Sequence, residues 1–463
     1  MAVVILKSPP HSLPGELEVI DDNVKSGGEG TVYFSRDGKY AVKIYHKARS
    51  EKEALLKYIM SLFQSLTSEE EKFIIPPLSL IESLDGQCRT GFVMRRVPKH
   101  YRELSEFILP RQAAAHFNQG KTWEHYFKLA HSISKSIVVL HNKGFAHSDI
   151  HYYNFMVNIN DGEAIMLEID GVVVAGFLPP QVVGKMEFMA PEILTDKIKP
   201  NEKTDRYSMA VLILHTLLFR NVMKPLVEYD NDTELSEILG WGKYALFSEN
   251  PEEHRHRPRN LGLPFYQEGA LSYKILPPLL QDLANRALID GLNNPDKRPA
   301  SREWEESLSS IIYEIFVCQN CKQKFPYPYW VNPAYKRICP FCGEKIKPPY
   351  PALLELYEEK SKGIFSSLKS HLVIMNGSKI FPDMITVGNK PSFTRKSDNI
   401  SGYVEFDQKK GHYFIVNNED AIWHARFPNE NRQFTVQKGQ SLTLTRCCFI
   451  NFGDGRRMAY VKE

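Results

Sequence analysis

His147-Ser148-Asp149-Ile150-His151-Tyr152-Tyr153-Asn154 reads H-x-D-x-x-x-x-N, and Asp170-Gly171 follows sixteen residues after Asn154. Asp149 could take the proton of an attacking hydroxyl. Asn154 and Asp170 could hold Mg²⁺ on a nucleoside triphosphate, because amide and carboxylate oxygens suit a hard cation. A pattern this short also arises by chance, so its meaning depends on what stands before and after it.

Upstream, Glu18-Val19-Ile20 leads to the glycine turn Ser26-Gly27-Gly28-Glu29-Gly30, followed by Thr31-Val32-Tyr33-Phe34. An Asp37-Gly38 turn then introduces Tyr40-Ala41-Val42-Lys43-Ile44-Tyr45, and β-rich runs about a D-G turn predict a hairpin. Gly27, Gly28 and Gly30 would let backbone approach phosphates closely. Lys43 could pair with the α- and β-phosphates, with Val32 and Ala41 beside it in the nucleotide site. The plain alternative is an ordinary hairpin with a surface lysine.

Lys47 to Phe63 predicts a helix, with Leu55, Leu56, Ile59, Met60 and Phe63 at helical spacing. Glu53 is the candidate partner of Lys43 and Glu51 the second; the alternative is that both are solvated. Arg89 to Met94 reads as a strand entering a hinge at Arg95-Arg96-Val97. Met94 would back the nucleotide pocket, with Arg96 and Val97 at the hinge. Thr122 to Asn142 predicts an amphipathic helix, and Phe155-Met156-Val157 and Ile165-Met166-Leu167 predict short strands. Met156 could floor an adenine, or be a buried hairpin methionine.

Downstream come Ala190-Pro191-Glu192, Asp205-Arg206-Tyr207-Ser208 and Arg298-Pro299. A glycine-rich loop, A-V-K, H-x-D-x₄-N, D-G, A-P-E, D-x-Y-S and a late R-P, in this order, resemble a eukaryotic-like protein kinase over about residues 13–312. The resemblance implies that Lys43 holds phosphates, Asp149 the acceptor hydroxyl, and Asn154 and Asp170 the metal. It implies that Glu192 pairs with Arg298, and that Asp205 bonds the backbone of the catalytic loop. The sequence also departs from the pattern. Lys25 replaces the first loop glycine, Ser148 an Arg, His151 a Lys, Ile169 precedes Asp170-Gly171 without the aromatic, and Lys185 stands where a Thr is usual. The segment 172–189 has no Ser, Thr or Tyr, so it should be ordered by packing and not by phosphorylation.

The 463 residues suggest about three domains. Lys plus Arg at 58 against Asp plus Glu at 55 argues against nucleic-acid binding. The apolar start, Met1 to Leu6, lacks a signal-peptide pattern, and Met209 to Phe219 is too short to span a bilayer, so the expectation is a cytoplasmic protein off the membrane. Residues 240–265 read as a solvated elaboration.

Cys318-x-x-Cys321 and Cys339-x-x-Cys342 are separated by seventeen residues, a spacing that can set four thiolates around one structural Zn²⁺. Lys347 to Pro351 reads as a stiff connector and Ala352 to Lys362 as a short helix. From about Ser370, regular short β runs predict a sandwich. Thr386 to Asn389, Ile400 to Tyr403 and Ile450 to Asp454 resemble a forkhead-associated domain whose phosphothreonine-reading positions hold Asn389, Gly402 and Val404. Cys447 and Cys448 read as unreactive strand thiols.

The expected fold class is α+β, a bilobal kinase fold followed by a zinc ribbon and an all-β sandwich. The expected parts are a small lobe (13–97), a large lobe (98–315), the ribbon (316–347), a linker with a short helix (348–369) and the sandwich (370–463). This order resembles a bacterial family of eukaryotic-like kinases found in gene neighbourhoods with a PP2C-type phosphatase and a von Willebrand A domain protein, often at tellurite-resistance loci. The resemblance implies an ATP- and Mg²⁺-dependent Ser/Thr kinase with a protein substrate. One competitor is a nucleotide-binding pseudokinase scaffold. Another, a small-molecule phosphotransferase, is disfavoured because that class lacks Ala190-Pro191-Glu192 and its Arg298 partner.

Overall fold

The computed structural model describes residues 2–47, 50–173, 184–196, 198–331, 337–389, 391, 393, 399–428, 432–453 and 455–462. The chain divides into two compact units. The first comprises Met1–Gln119, Leu129–Arg257 and Ala284–Glu305, and the second Gly120–Lys128, Pro258–Leu283 and Glu306–Glu463.

The first unit begins with an antiparallel sheet. Its strands are β1 (Ala2–Lys7), β2 (Glu16–Ser26), β3 (Gly30–Ser35), β4 (Tyr40–Tyr45), β5 (Pro77–Leu84), β6 (Gln87–Cys88) and β7 (Gly91–Arg95). The order β1-β2-β3-β4-β7-β5-β6 closes on itself, because β1 also pairs with β5. The apolar start of the chain is thus a strand: Ala2, Val4 and Leu6 point inward with Leu17, Val19, Val42, Ile81 and Val93, while Val3 and Ile5 face solvent. That alternation is the period of a half-buried strand.

The helices are α1 (Ser50–Phe63), α2 (Pro110–Asn118), α3 (Trp123–Asn142), α4 (Pro191–Thr195), α5 (Glu202–Leu218), α6 (Thr233–Trp241), α7 (Pro278–Asn285), α8 (Ser301–Ser310) and the single turn α9 (Pro382–Ile385). Asn201 and Thr204 start α5 with a capping box, and from Tyr207 to Leu218 every residue of α5 is buried. Arg298 clamps this region. Its guanidinium donates to Glu192 at 2.6 and 2.9 Å and to the Gly291 and Lys203 carbonyls at 2.8 and 3.0 Å. A small antiparallel sheet, β8 (Arg102–Glu103), β9 (Phe155–Asn158) and β10 (Glu163–Met166), carries the residues around the catalytic loop.

In the second unit, β11 (Ile315–Val317) and β12 (Lys324–Pro326) form the hairpin that bears the first cysteine pair. Two sheets follow. One orders β14 (Ile364–Ile374), β13 (Ala352–Ser361), β22 (Arg457–Val461), β21 (Phe449–Phe452), β18 (Trp423–Phe427) and β19 (Arg432–Val436). The other orders β15 (Lys379–Ile380), β16 (Gly402–Asp407), β17 (His412–Asn417) and β20 (Ser441–Thr443). Leu354, Leu356 and Trp423 from the first sheet share one core with Val404, Ile415 and Leu442 from the second, which makes a sandwich.

Three expectations change. Ala352 to Lys362 is not a short helix but mostly β13, so the β region starts at Ala352 and not at 370. The good helix formers there are overruled because Leu354 and Leu356 alternate with Glu355, and β13 pairs on both edges, with β14 and β22. The segment 240–265 is not solvated throughout: Leu246, Phe247 and Glu249 are buried, and His256 is enclosed between the Leu226 N–H and the Tyr229 hydroxyl. Phe265 and Tyr266 donate their N–H groups to the Pro340 and Phe341 carbonyls, both at 2.9 Å. Cys447 and Cys448 lie on a turn before β21 and not within a strand, with Cys447 at φ 66°.

Candidate active site

The loop His147 to Asn154 is held from beneath by a buried carboxylate. Asp205, on α5, accepts the His147 and Ser148 N–H groups at 2.6 and 3.0 Å and lies 3.2 Å from His141 Nε2. His147 Nε2 lies 2.9 Å from the Leu167 carbonyl, and Ala146 bridges to Val173. Ser148 takes a left-handed conformation at φ 68°, which turns the chain toward Asp149.

Asp149 is gripped on both oxygens. Oδ1 accepts the Lys185 N–H at 3.0 Å and lies 3.1 Å from His151 Nε2; Oδ2 accepts Asn154 Nδ2 at 3.2 Å. His151 Nδ1 accepts the Tyr153 N–H, so the ring's proton sits on Nε2 and faces the carboxylate. Burial alone would raise the Asp149 carboxyl, but His151 and the Lys185 N–H hold it below its ordinary value. Gly184 leaves the room for this approach: a Cβ there would lie 2.8 Å from the Ser148 carbonyl and 2.9 Å from Asp149 Oδ1. Most of the segment 172–189 lies outside the described residues, and so does the expectation about its order.

On the other side of the site, Lys43 of β4 donates to Glu168 at 2.7 Å and to Asp170 Oδ2 at 2.8 Å, with Glu29 of the glycine turn at 4.0 Å. Tyr45, two residues on and so on the same strand face, donates its hydroxyl to Asp170 Oδ2 at 2.5 Å. Lys52 of α1 stands 3.8 Å from that oxygen and 5.2 Å from the centre of the Tyr45 ring. Burial would raise the wholly enclosed Asp170 carboxyl, yet Lys43 and Lys52 keep it below its usual value. Burial would likewise lower the Lys43 ammonium, and Asp170 and Glu168 hold it above.

Glu53 does not reach Lys43, which corrects the expectation for it. Its carboxylate binds Lys7 of β1 at 2.8 Å and Lys57 at 3.1 Å. The reason is helical phase. Lys52, Leu55, Leu56, Ile59 and Phe63 form the buried face of α1, and Glu53 is turned about 100° from it. Arg96 follows β7 at the expected hinge, and its N–H donates to the Lys39 carbonyl at 2.9 Å. Its guanidinium lies 4.2 Å from the Phe34 ring centre. The other pocket residues do come together. Met94, Val97, Met156 and Leu167 are half-buried around Ile75, Tyr101 and Ile165, and Met94 pairs across the sheet with Ala41. Val32 pairs with Lys43, and Gly27 and Gly28 are exposed at a turn closed by the Gly27 N–H on the Gly30 carbonyl at 2.9 Å.

Sequence reasoning missed Tyr45, Lys52 and Glu168. The i+2 step from Lys43, the i−3 and i−4 steps from Leu55 and Leu56, and the position two before Asp170 were the available signals. For Mg²⁺ the residues fit: Asp170 is a carboxylate, and Asn154 donates its amide nitrogen to Asp149, which leaves the amide oxygen for a cation.

In the second unit, the sulfurs of Cys318, Cys321, Cys339 and Cys342 all lie within 4.8 Å of one another, with separations of 3.8 Å (Cys318 to Cys342) and 3.6 Å (Cys321 to Cys339). A tetrahedron with metal–sulfur bonds of about 2.3 Å has edges of about 3.8 Å. Both pairs sit on the same turn: Lys322 and Gly343, each just after the second cysteine, take φ of 63° and 77°. The four thiols are free and could hold Zn²⁺.

A protein-family model described as protein kinase domain matches residues 20–305. No curated protein matches the sequence.

Proposed function

The chain belongs to the protein kinase domain family, and we propose that it is an ATP- and Mg²⁺-dependent Ser/Thr protein kinase acting on a partner protein. Membership carries kinase-type phosphoryl transfer, the use of ATP and a divalent cation, and a protein acceptor. The observation that carries the finer reading is the state of Asp149. It is ionised, aimed by His151, Asn154 and the Lys185 N–H, and reachable at the surface of the cleft.

In this reading the acceptor hydroxyl donates to Asp149, which takes its proton as the phosphoryl group transfers. Lys43 binds phosphate oxygens, and Met94, Val97, Met156 and Ala41 enclose the base. Asn154 and Asp170 would hold Mg²⁺, which would supply charge neutralisation on the phosphates. The four cysteines would hold one structural Zn²⁺, and four thiolates would fill its coordination, so it would stabilise and not react.

The sandwich is a degenerate forkhead-associated-like module that does not read phosphothreonine. Asn389 lacks the charge and fork of an Arg. Gly402 is backed by the Val416 carbonyl and Trp423, which a Cβ would meet at 2.6 and 2.7 Å, and Val404 is in the core. The setting is bacterial cytoplasmic signalling or stress response, with a PP2C-type phosphatase and a von Willebrand A domain protein as partners. A pseudokinase scaffold is the second reading. It is favoured by Lys43 binding Glu168 and Asp170 in place of an α1 carboxylate.

The test is incubation of the purified protein with labelled ATP and Mg²⁺, alone and with those two partners, beside Asp149→Asn. Label on Ser or Thr that the variant fails to deliver supports the kinase. ATP binding with no transfer under any condition supports the scaffold. Elemental analysis of reduced protein should find one zinc per chain, and its absence would refute the metal site.

A further inference from the structure

We propose that Lys52 is a second phosphate-binding lysine of the nucleotide site, working beside Lys43; the proposal rests on the kinase reading above. Lys52 is 6% exposed, and a buried ammonium is costly unless it is paired. The carboxylate it approaches, Asp170, already receives Lys43 and Tyr45 on the same oxygen. Lys43 has Glu168 as a second partner at 2.7 Å, whereas Lys52 approaches Asp170 at 3.8 Å, beyond hydrogen-bond distance. A buried ammonium held at that distance leaves room for an oxygen of an anionic ligand. The position fits phosphates, because Lys43, Asp170 and the glycine turn are at the same end of the cleft.

Lys52 is also preset. The Leu55, Leu56, Ile59 and Phe63 face fixes α1 on the lobe, and the Tyr45 ring, 5.2 Å from the ammonium, holds it over Asp170. On nucleotide binding its ammonium exchanges part of its contact with Asp170 for a phosphate oxygen. Helix α1 then senses the phosphates directly, through a cation of its own.

The test compares equilibrium binding of adenosine and of ATP, at fixed Mg²⁺, to wild-type protein, Lys52→Met and Lys52→Arg. Lys52→Met keeps the aliphatic stem and leaves Asp170 paired with Lys43 and Tyr45. It should bind adenosine like wild type and lose about 10- to 100-fold in ATP affinity, the size of one charge-assisted hydrogen bond. Lys52→Arg should recover most of that loss. A Met variant that binds ATP as well as wild type, or that loses adenosine and ATP equally, overturns the proposal. Should the Met variant not fold, Lys52→Gln gives the same comparison. Wild-type protein that binds neither ligand refutes the kinase reading and this proposal with it, whereas wild-type ATP binding undiminished in Lys52→Met refutes this proposal alone.

Discussion

The two sides of the cleft are built on different principles. On the side of the His147–Asn154 loop, a short run of chain carries most of the polar groups, and a carboxylate from α5 and the Lys185 N–H hold it. Asp205 holds two consecutive N–H groups, and Asp149, His151 and Asn154 lie within six residues of one another. On the Lys43 side, the groups come from β4, α1 and the Asp170 turn, and their meeting depends on how far each element is rotated. The first side is a local motif on a buried platform. The second is an assembly of elements, and there Lys52, not the expected Glu53, faces the buried charges.

The largest expected effect breaks the catalytic-loop side at its centre. Asp149→Ala should lower phosphoryl transfer about 10²- to 10⁴-fold while ATP binding changes little, because the proposed role of Asp149 is to meet the acceptor. Single-turnover transfer measured beside equilibrium nucleotide binding checks both halves. A parallel loss of ATP affinity would show that the two sides are not separable.

The platform itself should be the next most sensitive. Arg298→Met leaves Glu192 buried without its partner and should cost about 3–5 kcal/mol in urea unfolding. Glu192→Gln in the same chain should restore part of it, since the uncompensated charge is then gone.

A smaller, pH-dependent effect sharpens the contrast. His215 lies in α5 against the Phe188 and Tyr152 rings, and burial pushes its imidazole down from 6.5 to about 3. The folded protein keeps it neutral where the unfolded chain is protonated, so stability is lost as pH falls from about 6.5 toward 3. The loss is up to about 1.4 kcal/mol per pH unit. His215→Leu should flatten that slope in urea midpoints taken between pH 7 and 5. An unchanged slope would place the acid lability elsewhere.

The smallest effect is the most pointed. Glu53→Gln removes a half-exposed pair with Lys7, of a kind worth at most about 1 kcal/mol. Turnover should stay within about threefold of wild type. A hundredfold fall would mean that α1 turns in the working state and brings Glu53 to Lys43, which erases the distinction drawn above.

The same contrast explains what the sequence disclosed. The Asp205 contact and the Glu192–Arg298 pair were legible through the resemblance, because they belong to a pattern of motifs in a fixed order. Lys52 was not, because one residue of helical phase separates it from Glu53 and both are charged. The β4 hairpin was legible from its turns. The strand β1 was not, because a short apolar run at the start of a chain is judged first as a possible leader. Helix propensity misled at Ala352 to Ser361, where Leu and Glu favour helix locally but a two-sided ladder and a shared core decide for strand. The cysteine ribbon was the reverse case: four residues of one type at two fixed spacings need no tertiary context to be read.

Closing the small-lobe sheet with β1 has a mechanical side. The strand works as a hoop, joined to β2 along one rim and β5 along the other, and Lys7 at its end is tied to Glu53 on α1. Prying β1 away would bare Val4 and Leu6 and leave two raw strand edges ready to pair with another chain. It would also slip the tether on α1, the helix that carries Lys52. One strand thereby guards both the core of the lobe and its two rims.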